Sequence, residues 1–138
     1  NVYGLGQDPA SPYSGVLTRF ARFVRDQQPL QLQGGGKAIR DFVHVADIAQ
    51  ALTETLKIPD KKMVGQAVNL ASGKSVSIRE VAFAIQKICD PSRWPGRVIA
   101  PARVADVRVS MADLRRARAL LRFKPKVTLR EGLGELFS

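Results

Sequence analysis

Apolar residues recur every three or four positions in several segments of the chain, and this spacing predicts amphipathic helices. The pattern is clearest over residues 15–27, where arginines occupy the side expected to face solvent. Two further helices are predicted to begin at residues 77–80 and 128–131, because a serine or threonine is followed three positions later by glutamate, as in a capping box. The side chains expected to enter the core are Val16, Leu17, Phe20, Phe23, Val24, Ile78, Val81, Ala82, Ile85 and Ile88.

Two more helices are predicted from weaker signals. Asp47 stands where an N-cap residue would lie, and the helix that follows it is expected to bury Ile48, Leu52 and Leu56. Residues 110–121 show apolar residues at helical spacing between arginines, so they are also predicted to be helical.

Extended segments lie between the helices. Residues 29–33 alternate between apolar and polar and run into three glycines at 34–36, which predicts a strand followed by a turn. Residues 39–45, 66–71 and 97–100 are further predicted strands. Because strands alternate with helices along the chain, the predicted fold class is α/β.

The overall composition fits one compact domain of 138 residues. No apolar run approaches the length of about 18 residues that a membrane span needs. The single Cys89 cannot form an internal disulfide, which is consistent with a reducing, cytoplasmic location. One histidine and one cysteine leave no ligand set for a zinc site.

The charge is uneven, because residues 93–138 hold eleven basic and four acidic residues while the net charge of the whole chain is +10. Such a field attracts polyanions, either nucleic acid or nucleotide diphosphates. The interpretation we favour for the charge alone is a solvated, arginine-rich surface.

Three glycine-bearing stretches invite a phosphate-binding interpretation, and none carries a complete motif. The stretch at residues 4–6 lacks the third glycine of a dinucleotide fingerprint, and residues 34–37 lack the Ser or Thr that follows the lysine of a P-loop. Gly73 precedes Lys74 and Ser75, but the glycine expected five positions earlier is Val68. A P-loop is therefore not predicted.

Four single residues are candidates for chemistry. His44 has neither a serine nucleophile nor a metal motif beside it, so a packed structural histidine is favoured. Cys89 ends an apolar helix face and is interpreted as a packed thiol. Arg40 and Arg103 each lie in or after an extended segment, and a guanidinium there can hold two phosphate oxygens. A salt bridge is the equal alternative, from Arg40 to Asp41 or Asp47, and from Arg103 to the acid three residues later.

Taken together, seven ordered blocks of the chain resemble the C-terminal half of the extended short-chain dehydrogenase/reductase family, the NAD-dependent sugar-nucleotide epimerases and dehydratases. The resemblance is greatest to members that epimerise UDP-sugars at C4. It implies that residues 1–138 are the C-terminal substrate-binding region of an extended Rossmann-type enzyme, and that the NAD-binding half lies upstream. The blocks are residues 1–4, 7–16, 34–47, 68–70, 103–106, 113–125 and 128–133.

The resemblance also implies positions for a nucleotide-diphosphate sugar. Arg40 and Arg103 would clamp the diphosphate, with Asn69 close to it. Asn1 would lie beside the diphosphate or the sugar. Val16 and Leu17 would present backbone groups to the base at the start of their helix. Gln33 would lie beside the base, at a position where the family usually has an aromatic residue.

The resemblance further implies a reaction that the chain alone cannot complete. In the family, hydride transfer on NAD forms a 4-keto sugar, with a tyrosine, a lysine and a Ser/Thr as acid–base groups. The chain contains neither a Tyr-x-x-x-Lys sequence nor the glycine fingerprint for NAD, so by itself it is expected to be inactive. The complete enzyme is expected to be a homodimer. A 4,6-dehydratase, or a non-catalytic RNA-binding relative, is the alternative function.

One departure from the family concerns a helix end. The family tends to place glycine where this chain has Arg122, between a leucine and an aromatic residue. If that residue adopts the left-handed conformation of a helix cap, the arginine is expected to cost about 1 kcal/mol of stability.

Overall fold

The computed structural model describes residues 1–11, 13–102, 104 and 106–137. Short strands alternate with helices, which confirms the α/β class. The strands are β1 (Val2–Tyr3), β2 (Leu30–Gln33), β3 (Ile39–Asp41), β4 (Val43–His44), β5 (Ser75–Ser77), β6 (Arg97–Ala100) and β7 (Val109–Ser110). The helices are α1 (Val16–Arg25), α2 (Val45–Thr55), α3 (Asp60–Met63), α4 (Ile78–Ile88), α5 (Arg115–Leu121) and α6 (Leu129–Phe137), with single 3₁₀ turns at Gly34–Gly36 and Pro91–Arg93.

The described strands form three small sheets. Strand β1 pairs in parallel with β4, and β2 pairs in parallel with β6. Strand β3 lies between two neighbours, antiparallel to β5 and parallel to β7. Residues 39–44 therefore belong to two sheets in succession, and this arrangement places Arg40 beside the segment that leads into β7.

The main core lies between helices α1, α4 and α6 and strand β2. Helices α1 and α4 contribute their predicted apolar faces, because the hydrophobic spacing matches the helical repeat. The largest fully buried side chains are Phe20, Leu17, Leu30, Ile85, Leu133, Val43 and Val81. A smaller cluster around Ala117 and Phe123 joins α2 to α5.

Both predicted capping boxes are present. Ser77 accepts a hydrogen bond from the Glu80 N–H while the Glu80 carboxylate accepts one from the Ser77 N–H. Thr128 and Glu131 make the same reciprocal pair at the start of α6. No helix among the described residues combines the length and the apolar character needed to cross a membrane.

The predicted start of α2 is wrong, and of the three residues predicted to be buried only Ile48 is half-buried. The N-cap is His44, whose Nδ1 accepts a hydrogen bond from the Ala46 N–H at 3.3 Å. Asp47 lies in the first turn instead and is buried, and four residues later Ala51 is buried on the same face. Leu52 is consequently 58% exposed and Leu56 is 86% exposed. Asp47 turns inward because its carboxylate accepts hydrogen bonds from the N–H groups of residues 126 and 127.

Two other predictions need correction. Residues 66–71 form no strand in the structure. Ala67 and Asn69 are exposed, whereas Leu70 packs on the smaller cluster. The alternation of apolar and polar residues that predicted a strand therefore matches the burial of this segment, although the segment pairs with no described strand. The penultimate helix begins at Arg115 and not at Ser110, because Ser110 pairs with β3 as part of β7.

Candidate functional site

A pocket of about 220 Å³ opens between α1, β2 and β3. Five of the seven residues predicted to bind substrate line it, although they are spread over the first 40 positions of the chain. They are Asn1, Val16, Leu17, Gln33 and Arg40. Helix α1 contributes its first turn, β2 contributes one face, and β3 contributes the arginine. We call this cavity the α1–β2–β3 pocket.

The start of α1 gives the pocket an electropositive wall. Gly15 is the N-cap residue and makes no side-chain capping hydrogen bond, and the first turn contains no acidic residue. The unpaired N–H groups of a first helical turn favour anions and other hydrogen-bond acceptors. Val16 and Leu17 are therefore placed so that their backbone can contact a polar ligand while the Leu17 side chain remains buried in the core.

Arg40 is the basic residue on which the site depends. Its side chain is 16% exposed, and Nη2 lies 2.9 Å from Oδ1 of Asp106. Nη1 donates to the carbonyl oxygens of Ile39 and Val107, at 2.9 and 2.6 Å. The predicted salt-bridge partners Asp41 and Asp47 are therefore wrong, and the partner is Asp106. Because that carboxylate also lines the pocket and is 37% exposed, a diphosphate would have to share or replace it.

Of the two remaining predicted site residues, one lies away from this pocket and the other lies outside the described residues. Asn69 is exposed and lies in a separate depression with Ala67, Asp113, Arg115 and Arg116. Its contact with a diphosphate stays a prediction. Arg103 lies outside the described residues, so the second arginine of the predicted clamp also stays a prediction.

The glycine turn at Ser72 and Gly73 has a structural role. Oδ1 of the buried Asp41 accepts hydrogen bonds from the Ser72 hydroxyl at 2.6 Å and from the Ser72 N–H at 2.9 Å. Oδ2 of Asp41 accepts from the Gly73 N–H at 3.1 Å. The donors that a phosphate-binding loop would offer are thus already used by a carboxylate of the same chain.

Residues 4–6 do not form a dinucleotide-binding turn, and the described residues hold no metal-binding cluster. Residues 4–6 lead into a loop and not into a helix, so the turn that would hold a pyrophosphate at a helix start is missing there. Within the described ranges, no group of three or more His, Cys, Asp or Glu side chains could hold a metal ion.

His44 and Cys89 occupy structural positions, as interpreted from the sequence. His44 is buried, caps α2 and lies edge-to-face against the Tyr3 ring at 5.3 Å, with its Nε2 3.2 Å from a Glu135 carboxylate oxygen. Burial raises the pKa of the Cys89 thiol, which keeps it protonated and unreactive at neutral pH.

Several residues that line the pocket are not predicted as site residues from the sequence, among them Asp106, Phe23 and Gln31. The sequence predicts Asp106 only as a partner for Arg103, Phe23 as a core residue, and Gln31 only as part of an alternating strand. The alternation of β2 could have identified Gln31, because it lies two residues before Gln33 and therefore on the same face. Phe23 is half buried and shared between core and pocket, which helical spacing cannot distinguish.

Comparison with known proteins identifies the family of the chain. Residues 1–71 match the NAD dependent epimerase/dehydratase family. The chain is similar to dTDP-L-rhamnose 4-epimerase of Burkholderia thailandensis, with 32% identity over 136 residues that make up 99% of this chain and 36% of the relative.

Two solved structures share the fold. An epimerase of Methanothermobacter thermautotrophicus superimposes with a TM-score of 0.87 and 32% identity, covering 99% of this chain and 39% of that one. UDP-glucose 4-epimerase of Thermotoga maritima, in a structure with UDP-glucose, superimposes with a TM-score of 0.84 and 28% identity, covering 99% and 42%. The chain spans about two fifths of the length of these relatives. From its sequence and its fold, the chain belongs to the NAD-dependent epimerase/dehydratase family.

Proposed function

We propose that residues 1–138 form the substrate-binding portion of a sugar-nucleotide epimerase or dehydratase, and that the substrate is a UDP-sugar epimerised at C4. The observation that carries the proposal is the α1–β2–β3 pocket, which gathers five predicted substrate-binding residues from separate elements. Two of the relatives described above are named as sugar-nucleotide 4-epimerases, and one of those structures includes UDP-glucose.

The role of the pocket would be to hold the nucleotide end of the substrate. The Arg40 guanidinium would contact the diphosphate, and the first turn of α1 would offer backbone N–H groups to the base. Binding energy gained at this end, remote from the reacting carbon, orients the sugar for reaction. NAD, when bound by the complete enzyme, would supply hydride chemistry at the sugar.

We expect the acid–base residues and the NAD site to come from polypeptide outside these 138 residues, because the sequence contains no Tyr-x-x-x-Lys. The 138-residue chain is therefore expected to show no epimerase activity by itself. Turnover of UDP-glucose by the isolated chain would contradict this part of the proposal.

Nucleic-acid binding is less well supported. Binding to single strands usually depends on a row of exposed aromatic residues beside basic ones. Phe20 and Phe42 are buried, and Phe23 and Trp94 are partly buried against the same core, so these four do not form such a row.

The test is calorimetric titration of UDP and uridine into the complete polypeptide that carries these residues. Replacement of Arg40 by alanine should weaken UDP binding by about 10- to 100-fold, the value of one or two charged hydrogen bonds, and leave uridine binding nearly unchanged. Arg25→Ala is the matched control, because Arg25 also pairs with an aspartate but lies outside the pocket. Equal UDP affinity in the Arg40→Ala variant and the unmodified protein would refute the role of Arg40 in binding the diphosphate.

A further inference from the structure

Strand β6 has a free edge. Among the described strands it pairs only with β2. Leu30 lies opposite Arg97 in this ladder, and the Leu30 N–H donates to the Gly96 carbonyl at 3.0 Å. In a parallel ladder the opposing residue turns its own N–H and C=O to the far edge, so the backbone groups of Arg97 and Ile99 point away from β2. No backbone hydrogen bond from elsewhere in the described chain reaches these groups.

Apolar side chains are exposed on both faces of this edge strand. Ile99 is 77% exposed, and Val98 on the opposite face is 48% exposed. An open edge that carries β-branched apolar residues is able to pair with a further strand, and proteins usually cover or shorten such edges. Both the backbone and the side chains of β6 therefore offer contacts to an extended segment.

Helix α4 forms a second wall beside this edge. The Arg97 side chain reaches across to it, with the guanidinium carbon 4.2 Å from the centre of the Phe83 ring and Nη1 2.6 Å from Oε1 of Gln86. Ile99 lies on the same face of β6 as Arg97, and the Phe83 side chain is partly exposed. A free strand edge gives an added strand its hydrogen bonds, and an adjoining apolar surface receives its side chains. We call this surface the β6–α4 groove, lined by Phe83, Gln86, Arg97 and Ile99.

The charged side chains around the β6–α4 groove are mainly basic. Arg79 and Lys87 lie four positions before and after Phe83, on the same side of α4. Neither these two residues nor Arg97 forms an ion pair with a carboxylate in the described part of the chain. The one acidic residue of α4, Glu80, already accepts hydrogen bonds from the N–H and the hydroxyl of its own N-cap residue. Three cations beside the groove thus favour an acidic partner.

We propose that the β6–α4 groove binds an extended acidic segment of a partner protein, which adds to β6 as a third strand of the β2–β6 sheet. The free backbone groups of β6 supply the pairing, Phe83 and Ile99 supply the apolar contact, and the cations select acidic residues. The inference goes beyond the proposed function and does not depend on it, because no residue of the groove lines the α1–β2–β3 pocket.

A second copy of the chain fits this edge less well than an acidic segment. Pairing β6 with β6 would bring the same basic groups together on two chains that each carry a net charge of +10. The strand has four residues and is too short to bury the roughly 1,200 Å² of a stable interface by itself.

The probe is a fluorescein-labelled peptide of about ten residues in which valine alternates with glutamate, and fluorescence anisotropy measures its binding to the complete polypeptide. Two further peptides are N-methylated, one at the valine amides and one at the glutamate amides. Only one edge of the peptide can face β6, so one methylated peptide should bind about tenfold more weakly and the other should bind like the parent. Attraction by charge alone would treat the two methylated peptides alike.

Three variants locate the binding surface. Arg97→Glu should weaken binding of the parent peptide about fivefold or more, because it reverses a charge beside the free edge. Lys124→Glu is the matched control, since Lys124 is exposed but lies outside the groove, and its effect should be about twofold or less. Phe83→Ala should weaken binding about threefold or more, because it removes apolar contact and no backbone hydrogen bond. Thermal unfolding of each variant establishes that it is folded.

Four results would overturn the proposal. They are no binding of the parent peptide, equal affinity of the two methylated peptides, an equal loss in Arg97→Glu and Lys124→Glu, or a smaller oligomer in Ile99→Pro. Proline removes the outward N–H at the free edge, so a smaller oligomer in sedimentation would assign this edge to pairing between copies of the protein. We expect the oligomeric state of Ile99→Pro to equal that of the unmodified protein.

Discussion

Replacement of Arg122 by glycine should stabilise the protein, because the backbone at this position is left-handed. Arg122 ends α5 with φ 50° and ψ 30°. Its N–H donates to the Arg118 carbonyl at 3.1 Å, and the next N–H donates to the Ala117 carbonyl at 3.2 Å. These bonds close the end of the helix only in this conformation, which confirms the left-handed cap considered from the sequence.

The expected gain is about 1 kcal/mol, since a residue with a Cβ is disfavoured by roughly that amount where glycine is not. The entropy of unfolding is about 2.1 cal/mol/K per residue, so for 138 residues a gain of this size raises Tm by about 3 °C. The exposed Arg122 side chain makes no described hydrogen bond or ion pair that the substitution would remove.

The assay is urea and thermal unfolding of the 138-residue chain. Arg122→Ala removes the same charge but keeps the Cβ, so its stability should change little. Arg118→Gly, on the same helix but with ordinary helical geometry, should lose about 1 kcal/mol. If Arg122→Gly is no more stable than Arg122→Ala, backbone strain does not explain the position.

Three other predictions concern α6 and the residues packed beneath it. Gly132→Ala should destabilise the fold by about 1–3 kcal/mol in urea unfolding, because the new Cβ would clash with the Tyr3 phenol, whereas Gly134→Ala has open space and should not destabilise it. Burial, with a smaller effect of Glu135, raises the pKa of Tyr3 to about 12 from 10.0. The unfolded chain therefore loses the Tyr3 hydroxyl proton at a lower pH than the folded chain does, so the free energy of unfolding should fall as the pH rises from about 10 to 12. The fall should be shallower in Tyr3→Phe. Identical pH profiles of the two proteins would contradict this. Asp47→Ala should cost about 1–2 kcal/mol of unfolding free energy, since it removes the acceptor of two part-buried hydrogen bonds from the loop before α6, and a neutral result would show that water replaces the carboxylate.

The sequence predicts the helices well where periodicity and capping agree. Helix α4 has both an apolar stripe and the Ser77–Glu80 box, and its described bounds follow from them. Helix α2 was predicted with the wrong start, because an aspartate near a helix start suggests an N-cap. Asp47 instead satisfies N–H groups about 80 residues away, and a local pattern contains no information about such a partner.

The candidate site shows the same limit. Spacing and residue type identified Arg40 as a phosphate ligand or an ion-pair member, and the resemblance favoured the first. The structure shows an ion pair, with a partner 66 residues along the chain. A long-range pair of this kind arises from the parallel pairing of β3 with β7, which the sequence did not predict because residues 110–121 were assigned to a helix.

The central claim is that the α1–β2–β3 pocket binds the nucleotide diphosphate of a sugar nucleotide, and a crystal structure of the complete polypeptide with UDP-glucose tests it most directly. We predict that the diphosphate lies in this pocket with a phosphate oxygen about 3 Å from an Arg40 guanidinium nitrogen, and that the contact with Asp106 is shared or replaced. A ligand bound elsewhere, with Arg40 still held by Asp106 and no phosphate near it, would contradict the account.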